Sequence, residues 1–151
     1  MFSQTVEYAM RAMLALASGD GTPMTTRQIA ETMRVPQSYL SKVLQALVRG
    51  GLVFSTRGLK GGFVLVREPA QISLLEIQNS VNPIQRIHSC PLDLSGHKSE
   101  LCPLHKRLDQ AMASVEEAFA STSLAEILSE NNPCPTLQAQ LSILKEKTSD
   151  S

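Results

Sequence analysis

Between Thr25 and Val66 the chain reads TTRQIAETMRVPQSYLSKVLQALVRGGLVFSTRGLKGGFVLV, where apolar residues first recur with helical spacing and then gather around glycines. Ile29, Ala30 and Met33 supply the inner face of a first short helix capped by Thr26, and Arg34-Val35 form the turn after it. Pro36 fits the first position of a second helix, where its missing N–H costs nothing. Leu40, Val43, Leu44 and Leu47 give that helix its buried face, and Gly50-Gly51 stops it. Leu52–Ser55 and Phe63–Val66 then read as strands joined through Arg57-Gly58-Leu59-Lys60-Gly61-Gly62. Helix, turn, helix, strand, glycine turn, strand is the order of a winged helix-turn-helix.

The rest of the chain can be arranged around that unit. Val6, Ala9, Met10, Met13, Leu14 and Ala17 share one face of an opening helix, which Gly19-Asp20-Gly21 ends. Ser73-Leu74-Leu75-Glu76 is a capping box for a short helix. Residues 82–103 read as a loop, with Pro83, Pro91, Gly96 and Pro103. A longer helix follows, with Leu104, Leu108, Ala111, Met112, Val115 and Phe119 on one stripe. Ser123-Leu124-Ala125-Glu126 is a second capping box, and the tail after Asn131 is expected to be mobile, with a helical turn around Leu137–Leu144. The fold class is therefore mainly α with a small β-hairpin wing. Its expected divisions are a winged helix-turn-helix over 1–80, a cysteine-containing loop over 81–103, a long helix and short successor over 104–130, and a tail over 131–151.

Composition narrows the function classes. Six aromatics without a Trp argue against a stacking platform for single-stranded nucleic acid. No apolar run is long enough to span a membrane, and Glu7 and Arg11 interrupt the only candidate signal segment. Three cysteines without an export signal point to a reducing cytoplasm. The net charge of zero conceals a division: residues 1–69 hold eight Lys/Arg against four Asp/Glu, which leaves −4 for the remainder. A basic half facing DNA and an acidic half turned away fits that split.

The outward side chains of the second short helix suit a DNA groove, since Gln pairs with adenine while Ser and Lys reach bases or phosphate. The DNA-facing candidates are Thr26, Gln37, Ser38, Tyr39, Ser41 and Lys42, with Arg57 and Lys60 on the wing. The bland alternative is a solvated helix in a winged-helix protein that docks other proteins. An enzyme is the least supported class, because no nucleophile–base pair, phosphate loop or paired-acid motif is present.

His88-Ser89-Cys90-Pro91 and Leu101-Cys102-Pro103-Leu104-His105 bring two thiols and neighbouring histidines into one loop before a helix, as metal ligands often are. Two inert thiols are the alternative, and the chemistry alone leaves both open.

With these segments in view, the chain resembles the IscR/NsrR/CymR-type winged-helix repressors. TVEYAMRAMLALA, SYLSKVLQALVRGGLV, TRGLKGGFVL and the cysteine loop before a long helix carry the resemblance, over about residues 1–130. It implies homodimers paired through the long helix, here by Leu104, Leu108, Met112, Val115 and Phe119, on a palindromic double-stranded operator. It also implies, in many members, an iron–sulfur cluster sensing iron, nitric oxide or redox state. Cys90 matches the first ligand cysteine and Cys102 the last, whereas Gly96 and His97 occupy the zone of the usual middle cysteine. Glu7 matches an acidic ligand contributed by the partner's first helix, and His105 a histidine ligand, with His97 in reserve. Two thiolates completed by nitrogen and oxygen favour a 2Fe–2S centre over 4Fe–4S. Cys134 matches no ligand of the family. The expectation is thus a cytoplasmic homodimeric repressor with an iron–sulfur sensor. The alternatives are a cluster-free thiol-based or zinc-binding regulator, or a protein-interaction module.

Overall fold

A computed structural model describes residues 2–91 and 100–130, with Ser142 and Glu146 alone beyond them. Gly96, His97, Cys134 and nearly all of the expected tail turn lie outside the described residues. The elements are α1 (Gln4–Ser18), α2 (Thr26–Met33), α3 (Gln37–Arg49), β1 (Val53–Thr56), β2 (Gly62–Leu65), a 3-10 turn (Pro69–Gln71), α4 (Leu74–Val81), α5 (Pro103–Ala120) and α6 (Leu124–Ser129). The fold is that of a winged helix, mostly helical with one antiparallel hairpin.

Local chemistry explains the boundaries. α2 starts one residue earlier than expected: Thr25 is the cap, its hydroxyl accepting from the Gln28 amide while the Gln28 side chain accepts from the Thr25 amide. Thr26 is already helical, because only Thr25 has a Gln at the reciprocating third position. Arg34 closes α2 in the left-handed region at φ 53°, and Pro36 stands just outside α3 as its cap. The capping boxes at Ser73 and Ser123 are both formed. β1 and β2 pair with Val53 opposite Leu65 and Thr56 opposite Gly62, so each strand is shifted by one residue from the expected limits.

One core joins nearly every element. Met13, Ile29, Leu40, Leu44, Leu47, Leu52, Ile72, Ile77 and Leu124 are its largest fully buried side chains. Leu124 reaches this core from the far side of α5. The Leu124 amide donates to the Ile72 carbonyl (3.0 Å) and the Leu74 amide to the Thr122 carbonyl (2.9 Å), stitching the α5–α6 corner onto α4. α5 itself buries none of its 18 residues. It leans on α4 and the segment after α4, with Lys106, Arg107 and Glu117 exposed.

The wing is anchored at its base. Met24 and Phe63 exchange backbone hydrogen bonds at 3.1 and 2.8 Å, and the Thr56 hydroxyl bridges the amide and carbonyl of Gly62. Gly62 has φ 156°, and a Cβ there would lie 2.7 Å from the Met24 carbonyl carbon and oxygen. Gly62→Ala should therefore push the wing off Met24 and cost about 1–3 kcal/mol. Chemical denaturation checks this; an unchanged midpoint would mean that the wing base yields freely.

Candidate metal centre and nucleic-acid interface

α3 presents the outward row that its buried face dictates. Gln37, Ser38, Tyr39, Ser41 and Lys42 are all exposed, while Leu40, Val43, Leu44 and Leu47 are packed inward. Tyr39 is held edge-on by Tyr8 of α1, with ring centroids 6.2 Å apart. The Ser41 hydroxyl donates to the Gln37 carbonyl (3.2 Å), leaving its lone pairs outward. Thr26 is half-buried beside this row. On the wing, Arg57, Leu59 and Lys60 are exposed around Gly58, whose φ of 107° the tight tip requires.

The second constellation forms where the segment after α4 meets the start of α5. Cys102 is the N-cap of α5, Pro103 opens the helix, and His105 lies on its first turn. The His105 Nδ1 stands 3.0 Å from Cys102 Sγ and 3.6 Å from Cys90 Sγ. All three ligand atoms lie within 4.8 Å of one another. The Cys102 thiol is lowered from 9.0 to about 7. The first cause is the His105 backbone N–H, which faces the sulfur although it is too loosely aligned to close a full capping bond. The His105 ring and Cys90 add to it against a smaller opposing effect of burial. A helix N-terminus favours an anion for the same reason.

Glu7 is not part of this group. It sits exposed on α1 and forms an ion pair with Arg11. Nor is the apolar stripe of α5 presented as one continuous surface. Leu104 and Leu108 are exposed by 62% and 44%, whereas Phe119 stacks on Phe2 with centroids 5.3 Å apart. Met112 and Val115 line a cavity of about 550 Å³ between α4 and α5, together with Phe2, Gln78 and Leu108.

An ionic clamp between the segment after α4 and α5 was not anticipated from the sequence. Arg86 grips Asp109 with two hydrogen bonds of 2.7 Å and Glu116 with one of 2.9 Å, and the Ile87 amide donates to Asp109 at 2.9 Å. The Arg86 guanidinium and the Ile87 amide hold the Asp109 carboxyl down at about 2, and Arg86 itself is raised. The only hint in the sequence is spacing: Arg86 lies four residues before Cys90, and Asp109 four residues after His105.

Known proteins similar to this chain are transcriptional regulators. The model of the Rrf2 family, described as "Iron-dependent Transcriptional regulator", matches residues 2–130. A relative from Azotobacter vinelandii, named as an HTH-type transcriptional regulator ORF2, is 30% identical over 126 residues, covering 83% of this chain and 77% of its own. CymR, the global cysteine regulator of B. subtilis, superimposes with a TM-score of 0.71 at 27% identity, covering 87% of this chain and 98% of its own. T. potens IscR does so with a TM-score of 0.71 at 26% identity, covering 89% and 90%.

The Cys102 environment yields a pH dependence. A folded-state value near 7 against 9.0 for an ordinary thiol means that thiolate accumulates in the folded protein from about neutral pH upward. In metal-free protein, the alkylation rate at Cys102, mapped by peptide mass, should reach half its plateau near pH 7, and near 9 after unfolding in denaturant. A folded midpoint still near 9 would mean that the helix start does not hold the thiolate.

Proposed function

The chain belongs to the Rrf2 family of transcriptional regulators, and from that premise we propose that it is a homodimeric repressor in the cytoplasm whose grip on a palindromic operator is set by a metal centre at Cys90, Cys102 and His105. The observation that carries the sensor half is the meeting of two thiols and an imidazole, brought from two segments to one helix start. In this reading, Gln37, Ser38, Tyr39, Ser41 and Lys42 enter the major groove, and Thr26 meets the backbone. Arg57 and Lys60 lie along phosphate or the minor groove. The basic first half of the chain supports that assignment.

The dimer forms through α5. Leu104 and Leu108 lead the seam, because they are the exposed part of its stripe, with Met112, Val115 and Phe119 supporting from beneath. The sensor group is an iron–sulfur cluster of the 2Fe–2S type. Cys90, Cys102 and His105, with Glu7 from a second copy, would hold it. When bound, such a centre supplies a redox-active, gas-sensitive iron pair. The chain's own residues supply the geometry: the ligands sit at the start of the dimer helix, so their order or disorder alters the angle between two winged domains. Half-site spacing converts that angle into affinity.

A second reading is a single zinc ion, and one observation favours it. Zn–S and Zn–N bonds of about 2.3 and 2.0 Å place tetrahedral ligand atoms ~3.5 Å apart. The two sulfurs lie 3.0 and 3.6 Å from the His105 nitrogen. Protein purified without oxygen from iron-replete cells separates the two. For the cluster, visible absorption should be present in the wild type and absent in Cys90→Ala and Cys102→Ala, with shifted or labile spectra in Glu7→Ala and His105→Ala. Colourless protein carrying one zinc per chain would establish the second reading.

The DNA half is tested separately. Each phosphate contact contributes a slope of about 0.9 to the dependence of log affinity on log salt. Arg57→Ala with Lys60→Ala should weaken operator binding and flatten that slope by roughly 1.8 per protomer. Unchanged affinity and slope would remove the wing from the interface.

A further inference from the structure

Residues 83–91 form a strap that runs antiparallel to α5 and delivers Cys90 to the other two ligands. Its described hydrogen bonds are few. The Ile84 amide donates to the Asn79 side chain at 3.2 Å, and every other one, the Cys90–His105 contact aside, belongs to the Arg86 clamp. On α5, residues four apart lie one above the other, so Asp109 stands one turn below His105 on the same face. Arg86–Asp109 and Cys90–His105 are then two successive rungs between the strap and the helix. The lower rung is the better defined of the two. It is bidentate and planar, and Asp109 also receives the Ile87 amide, which orients the backbone leading to Cys90.

We propose that Arg86 is a positioning residue for the metal centre, setting through Asp109 the place at which Cys90 meets Cys102 and His105. This rests on the metal reading above for its purpose, but not for its geometry. The clamp does not touch the ligand atoms, and it needs no metal to form. Side chains of Arg86, Asp109 and Glu116 that are 32%, 18% and 27% exposed contribute modestly to global stability. What a bidentate guanidinium–carboxylate pair contributes instead is direction. Glu116 binds only the third nitrogen of Arg86 and does not contact the strap backbone, so its part is to steady the guanidinium. With the clamp in place, the two thiols and the imidazole are gathered before a metal arrives. Without it, Cys90 keeps only weak contacts of its sulfur with His105 and Cys102, and the strap its Ile84–Asn79 bond, among the described residues.

Two measurements on the full chain test this. In the first, zinc affinity is measured by chelator competition for wild type, Arg86→Ala, Arg86→Lys, Asp109→Asn and Glu116→Gln. Loss of an outer-shell partner typically weakens metal binding about 10–100-fold. Arg86→Ala and Asp109→Asn should fall in that range, Glu116→Gln should lose less, and Arg86→Lys should recover only part, since an ammonium cannot make the fork.

The second measurement uses metal-free protein and diamide, which accepts two electrons and both thiol protons as the Cys90–Cys102 disulfide forms. The rate of that bond, mapped by peptide mass, reports how often the two sulfurs meet. It should drop by about tenfold in Arg86→Ala, as effective concentration falls. Circular dichroism and denaturation midpoints close to wild type would separate positioning from loss of fold. Should Arg86→Ala not fold, the near-isosteric Asp109→Asn carries the same two readouts. Zinc affinity and disulfide rate both within twofold of wild type in a folded variant would overturn the proposal. Slower disulfide formation in a chain that takes up no zinc would uphold the positioning role while removing the zinc reading.

Discussion

The Leu124 amide and the Ile72 carbonyl, 3.0 Å apart, fix where α5 can go. α5 has 18 residues and fully buries none of them, so packing along its length is supplemented at two points. It is held at its end, where Leu124 enters the core of the winged domain beside Ile72 and Ile77, and in its middle by Arg86. The Leu74 amide on the Thr122 carbonyl and the stack of Phe119 on Phe2 add to these, so the first turn of α5 takes its position from the winged domain.

That arrangement separates two chemistries within one short chain. The outer face of α3 and the wing tip carry exposed polar and basic groups on a tightly packed core. The start of α5 gathers soft donors, where the local field favours thiolate. Between them lies the α4–α5 cavity, with no charged side chain in its lining. It leaves the two elements free of the dense packing that would lock them at one angle.

Much of the fold was legible in the sequence, because its signals are local. The buried faces of α2 and α3 follow from helical periodicity, and both Ser-x-x-Glu boxes cap the helices they announce. α1 instead turns Ala12, Ala15 and Leu16 into the core beside Val6, Ala9 and Met13, leaving the expected Met10, Leu14 and Ala17 half-buried at its edge. Thr25 and Thr26 were harder to tell apart. Either hydroxyl can cap, and only the Gln28 partner decides between them. The stripe on α5 was read correctly as apolar but not as divided, since its covering residue, Phe2, lies over a hundred positions away. The residue types of the Cys90, Cys102 and His105 group were legible in the sequence. Its assembly was not, because the spacing between Cys90 and Cys102 says nothing about how the intervening loop closes. Arg86 was invisible for the same reason: an ion pair across 23 residues leaves no periodic trace.

The absence of a third cysteine between Cys90 and Cys102 gives the clamp added weight. A three-thiolate site would have ligand strength to spare and could draw a loosely held loop into place on binding. Two thiols and one imidazole offer less binding energy, and any of it spent on ordering the strap is lost to metal affinity. Preorganisation by Arg86 removes that cost before binding begins. It does so with groups that stay charged throughout the neutral range, since the Asp109 carboxyl is held near 2 and Arg86 is raised. Within that range the Cys102 thiol, lowered to about 7, changes its protonation with modest pH. The strap can thus stay docked while the donor strength of the site varies, so the position of the ligands and their readiness to bind are governed by different residues.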